Sequence, residues 1–143
     1  MSNVPLVSPE DAQSLLLRGY TYVDVRSELE FSRGHPPGAF NVPLMQVEGD
    51  RLVDNPSFLD VMLAVFRTTD PLIVGCHSGT RSHAAVERLT RAGFSALVEL
   101  RHGFAGARDA FGRRLPGWRA AGLPVELDAA EERTYAALAR RAE

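Results

Sequence analysis

Pro71-Leu72-Ile73-Val74-Gly75-Cys76-His77-Ser78-Gly79-Thr80-Arg81-Ser82 sets the architecture of this chain. It opens on a helix breaker and continues as an unbroken apolar run, the pattern of a strand buried on both faces. Cys76 falls just past the strand's carboxyl edge. A short turn containing Gly79 leads into a helix expected from about Thr80 to Ala92. That helix has a clear stop: Gly93 suits the left-handed residue after a helix end, and Phe94 can fold back on Leu89. In open α/β sheets, ligand sites lie at the carboxyl ends of strands, so Cys76 is placed for chemistry.

Moving outward, Ala96 to Leu100 reads as the next strand. On the other side Tyr22-Val23-Asp24-Val25 is a short buried strand. It follows a helix that starts with Ser8 as cap, Pro9 in the first position and acids behind them, and that Gly19 ends. Ser27-Glu28-Leu29-Glu30 has capping-box spacing, so a second, short helix starts there. Gly34 to Pro43 is a loop with one short strand near Phe40 to Val42. Ser57 to Phe66 carries apolar residues at helical spacing. A short helix is expected from Phe104 to Phe111, and an Ala-rich helix from Ala129 to Ala142. The alternation predicts an α/β sheet of parallel character. It also predicts one domain over 1–127, with 128–143 as a C-terminal helical extension of it. That extension could pack, fray or contact a second copy.

At 143 residues and a net charge of −2, the chain fits one ordinary domain with no broad basic surface. Nucleic acid is therefore a poor partner. No apolar stretch nears the roughly 20 residues that span a bilayer, and residues 1–10 do not read as a secretory signal. The cytoplasm is the expected setting. The four His and single Cys show no metal-ligand spacing, and no cofactor is implied. A lone Cys has no internal partner, so any sulfur or redox cycle must end on an external thiol.

Most lone cysteines are small buried hydrophobes. Here the surroundings argue otherwise. A loop curled around a thiol turns backbone N–H groups toward it, and a following helix adds its positive end. Arg81 adds a permanent cation. Together these should lower the thiol pKa from about 8.5 and hold a persulfide anion equally well. Gly79 allows the tight bend.

The loop Cys76-His77-Ser78-Gly79-Thr80-Arg81-Ser82 resembles the active-site loop of single-domain rhodaneses. Val23-Asp24-Val25-Arg26 with Glu30-Phe31 resembles that family's Asp-x-Arg strand and following helix. Gly34-His35-Pro36-Pro37-Gly38-Ala39-Phe40-Asn41-Val42-Pro43 resembles its Gly/Pro-rich segment, with Pro36 where an aliphatic residue is usual. Gly103-Phe104 and Trp118 to Val125 resemble its C-terminal signature. The landmarks run in order from about Val7 to Val125. The resemblance implies a central parallel five-stranded sheet flanked by helices on both faces, with an extra C-terminal helix. It also implies sulfane-sulfur transfer through a Cys76 persulfide, with Arg81 binding an anionic donor and ordering the loop. His77, Ser78, Gly79, Thr80 and Ser82 are the expected substrate-binding residues. Asp24, Arg26 and Glu30 are expected as a supporting ion pair beneath the loop, and His35 as a structural, hydrogen-bonded residue. The partners implied are a small sulfur donor such as thiosulfate and a thiol or cyanide acceptor, with a protein thiol as another acceptor.

Other readings stay open. Cys-dependent phosphatases and arsenate reductases resemble Cys-x5-Arg, whereas only four residues separate Cys76 from Arg81 here. Non-catalytic rhodanese-like modules commonly lack the Cys. The mercaptopyruvate branch resembles Cys-Gly-Ser-Gly-Val-Thr, which His77 and Arg81 fit poorly. Arg108, Arg113 and Arg114 could steer anions or simply face solvent.

Overall fold

The computed structural model describes residues 4–143. Five parallel strands form the central sheet: β1 (Leu6–Val7), β2 (Thr21–Asp24), β3 (Phe40–Asn41), β6 (Leu72–Gly75) and β7 (Leu97–Leu100). Their order is β1-β7-β6-β2-β3. β6, the apolar run of the opening segment, is central and buried at all four positions. In register, Val23 faces Val74 and Val74 faces Glu99.

Helices cover both faces. On one, α3 (Phe58–Val65), α4 (Thr80–Arg91) and α5 (Tyr135–Arg141) bring Met62, Val86, Leu89 and Leu138 against Val23, Leu72 and Val74. On the other, α1 (Pro9–Leu17) and α2 (Glu28–Ser32) bring Ala12 and Phe31 against Tyr22, Ile73, Leu100 and Trp118. Both expected N-caps form. The Ser8 hydroxyl accepts from the Asp11 N–H, and Ser27 with Glu30 makes the reciprocal capping box. Gly93 takes φ +100°, and the Phe94 N–H donates to the Leu89 carbonyl, closing α4.

Three segments depart from expectation. The expected helix from Phe104 to Phe111 is instead a turn followed by a hairpin, β8 (Ala107–Arg108) and β9 (Arg114–Leu115). Gly106, inside that stretch, takes positive φ, as do Gly103 and Gly112 immediately before and after it, and a helix does not continue through such residues. A second hairpin, β4 (Met45–Glu48) with β5 (Arg51–Asp54), turns at Gly49-Asp50, a segment with no assigned element in the sequence reading. The Ala-rich tail is not one helix. A 3₁₀ turn at Glu131–Arg133 is followed by an extended Thr134, whose side chain accepts from the Ala137 N–H and restarts the chain as α5. α5 packs on α3 through fully buried Leu138, and Tyr135 Oη shares hydrogen bonds with Asn55. No described helix is long and apolar enough to cross a membrane.

Candidate active site

Cys76 follows β6 directly and is 1% exposed. The chain reverses over His77 and Ser78 to Gly79, which caps α4 with φ +117°. This left-handed turn aims the Gly79 N–H back at the sulfur, and it donates to Cys76 Sγ at 3.1 Å. The Ser82 hydroxyl lies 3.4 Å from the same sulfur. The floor is equally fixed. The Phe104 and Ala105 N–H groups donate to the carbonyls of Cys76 and His77, at 2.7 and 2.9 Å. Gly103 is pressed against those carbonyls: an added Cβ would sit 2.6 Å from Cys76 O and 2.5 Å from His77 O.

Ser82 is fully buried and connects the sulfur to a carboxylate that the sequence reading does not single out. Its hydroxyl donates to Glu99 Oε2 at 3.0 Å, with Gly79 O as a second acceptor at 3.1 Å. Glu99 is 4% exposed and sits in the middle of β7. Its other oxygen is 3.5 Å from His83 Nδ1. A buried carboxylate in a central strand needs such partners to offset desolvation. The only signal for it in the sequence is the charge of Glu99 inside Ala96-Leu97-Val98-Glu99-Leu100.

The supporting ion pair divides in two. Asp24 and Arg26 pair with each other, at 2.6 Å between Oδ2 and Nη2, and both are buried. Arg26 also donates to Gly34 O at 2.7 Å and stacks 4.4 Å from the Phe104 ring centroid. Glu30 is not part of that pair. Its two oxygens take both Arg81 terminal nitrogens, at 2.7 and 2.8 Å. It also accepts from the Ser27 N–H and hydroxyl, so the capping-box residue of α2 anchors α4. Burial works against the Glu30 charge, but the Arg81 bonds and charge and the Ser27 bonds outweigh it, holding its pKa at about 2. Arg81 is therefore a neutralised cation, and its two terminal nitrogens face Glu30 rather than the sulfur.

Of the other loop residues, His77 is exposed, with Nδ1 3.9 Å from Glu30 Oε2. Ser78 and Thr80 are exposed at the loop's rim. His35 is structural as expected: it stacks on Phe31, and its ring nitrogens contact Phe31 O at 2.7 Å and Glu126 Oε1 at 2.9 Å. The basic cluster is mostly used within its own hairpin. Arg113 pairs with Asp109, and Arg108 donates to Gly112 O. No group of three His, Cys, Asp or Glu among the described residues could hold a metal ion.

Comparison with known proteins gives the family. The rhodanese-like domain family model matches residues 8–110. Rhodanese-like domain-containing protein 15, chloroplastic, of Arabidopsis thaliana is 41% identical over 115 residues, covering 80% of this chain. The chain spans only 57% of that protein. Thiosulfate sulfurtransferase 16, chloroplastic, of the same plant is 39% identical over 126 residues, covering 87% of this chain and 96% of its own. Among solved structures, Rv0390 from M. tuberculosis superposes with a TM-score of 0.73 at 32% identity, over 89% of this chain and all of that one. With a cysteine-bearing loop at the end of a central parallel strand and a family match over most of its length, this chain belongs to the rhodanese-like domain family.

Proposed function

We propose that the chain is a sulfurtransferase moving a sulfane sulfur from thiosulfate or a small persulfide to a thiophilic acceptor through a persulfide on Cys76. The observation that carries this is the aim of the Gly79 N–H at Cys76 Sγ, 3.1 Å away, inside a loop held from below by Phe104 and Ala105. An N–H fixed on Cys76 Sγ favours the thiolate, the form that attacks the donor and the form regenerated when the sulfur is passed on, without reorganisation during the reaction. The names of the relatives support the same class.

In the first displacement the Cys76 thiolate attacks the outer sulfur of thiosulfate. A new S–S bond forms as the old one breaks, and sulfite leaves with the electron pair. In the second, an acceptor thiolate or cyanide attacks the terminal sulfur, and the pair returns to Cys76. Two displacements on one nucleophile give ping-pong kinetics. Arg81 serves here as the tether that orders the loop through Glu30, with His77, Ser78 and Thr80 forming the rim. The four-residue spacing between Cys76 and Arg81 favours sulfur over tetrahedral phosphate.

The test is the intact mass of reduced protein after exposure to thiosulfate or a small persulfide. The expected result is a gain of one sulfur, roughly 32 Da, reversed by cyanide and absent in Cys76→Ser. No gain with either donor overturns the reading in favour of an interaction module.

A further inference from the structure

Beside the Cys76 loop lies a cavity of about 350 Å³, walled by His77 on the loop, Phe104 beneath it, and Arg26, Glu30, Arg33 and Arg119 around it. Its charges divide into two sets. Arg26 is matched by Asp24, and Glu30 by Arg81. Arg33 and Arg119 have no carboxylate partner among the described residues. They line the same cavity from distant parts of the chain: Arg119 Nη2 lies over Gly34, where an added Cβ would be only 3.1 Å from it, and Gly34 follows Arg33 in the chain. The Arg119 guanidinium also stands 5.4 Å from the Phe104 ring centroid. Two guanidiniums without a carboxylate partner leave this cavity with surplus positive charge, and guanidinium is the donor best matched to carboxylate. An apolar floor with a few convergent charges is the make-up of a small-molecule site.

We propose that this cavity seats the body of a small thiol or persulfide carrying carboxylates, with Arg33 and Arg119 as its specificity-determining residues. The inference rests on the sulfurtransferase reading for its chemistry, but the seating itself does not require turnover. The seated thiolate attacks the terminal sulfur of the Cys76 persulfide. One S–S bond forms and one breaks, the electron pair stays on Cys76, and no oxidant is consumed. The same seat accepts the reverse reaction, in which a carboxylate-bearing persulfide loads Cys76. Glu30 does not oppose the incoming anion, because both its oxygens are paired with Arg81.

Glutathione, a thiol with two carboxylates, and its diethyl ester are suitable probes. Unreactive S-methylglutathione should bind the full chain in calorimetry, and its diethyl ester should bind at least about tenfold more weakly. The double variant Arg33→Met, Arg119→Met should lose about tenfold in affinity for the acid, and the preference over the ester should collapse. For the persulfide-loaded protein, the ratio of discharge rates by glutathione and by its diethyl ester should fall by a similar factor in the double variant. Equal binding of acid and ester, or an unchanged ratio in a folded double variant, would overturn the subsite. Failure of Cys76 to load sulfur at all would sink the parent reading, while the S-methylglutathione measurement would still decide the seat.

Discussion

Arg81 grips Glu30 through two parallel hydrogen bonds, at 2.7 and 2.8 Å, and so joins helices from opposite faces of the sheet across its carboxyl edge. The planar fork of arginine is what permits this double contact; a lysine ammonium offers one point of charge. Arg81→Lys should therefore keep the charge and lose the tether. The expected cost is about 1 to 2 kcal/mol, read from denaturant midpoints, with a larger fall in the rate of sulfur loading. Full retention of both would show that the loop is ordered by its floor alone.

The same pair sets an acid limit. The Glu30 pKa is depressed to about 2 from the ordinary 4.5, so its contribution is complete above pH 4.5 and lost as the pH falls through 2. Glu30→Gln lacks it at every pH. The difference in melting temperature between wild type and Glu30→Gln should thus hold from neutral pH to about 5 and shrink between about 4.5 and 2. A difference that stays constant down to pH 2 would remove Glu30 ionisation from the account.

Ser82 places its hydroxyl between Cys76 Sγ and the buried Glu99 carboxylate. Ser82→Ala strands Glu99 with only the 3.5 Å His83 contact, which should cost about 1 to 3 kcal/mol. Glu99→Gln keeps an acceptor for Ser82 and should cost less. Thermal melts of the two variants, beside their loading rates with thiosulfate, check this order. Equal destabilisation would mean that charge at Glu99 matters more than the connection.

Gly103→Ala would drive a methyl group into the Cys76 and His77 carbonyls, in a backbone conformation of φ +66° that already disfavours side chains. Gly38 has φ +83° but open space around it. Gly38→Ala should cost only the conformational strain, about 1 kcal/mol, and leave loading intact. Gly103→Ala should cost more and abolish loading. Similar behaviour of the two variants in melts and mass measurements would show that contact with the loop is not decisive.

What could be read from the sequence was local. The capping box at Ser27 and Glu30, the Gly93 stop and the apolar β6 run are all specified within a few residues, and each forms as expected. The loop from Cys76 to Ser82 is legible for the same reason. Pairings between distant segments were not. Glu30 could be matched to Arg26 or Arg81 on charge alone, and only the fold brings α2 to α4. Glu99 lies inside an apolar strand, where a carboxylate has no local partner to announce it. Arg33 and Arg119 look like ordinary surface charges until the fold sets them on one rim. The misread hairpin has a local cause: Gly106 within Phe104 to Phe111, and Gly103 and Gly112 on either side of it, all take positive φ.

The segment that leaves the body at Gly103 returns at Gly117. There the two backbones are in direct contact, with the Trp118 and Arg119 N–H groups donating to Gly103 O and Phe104 O at 3.0 and 3.1 Å. The intervening hairpin is thus an appendage on a closed base, and the base alone carries the floor under Cys76. Exchange of residues 107–115 for another tip is therefore expected to leave these base contacts, and the floor under Cys76, in place. That makes this hairpin a ready graft point for changing what the chain presents at its surface.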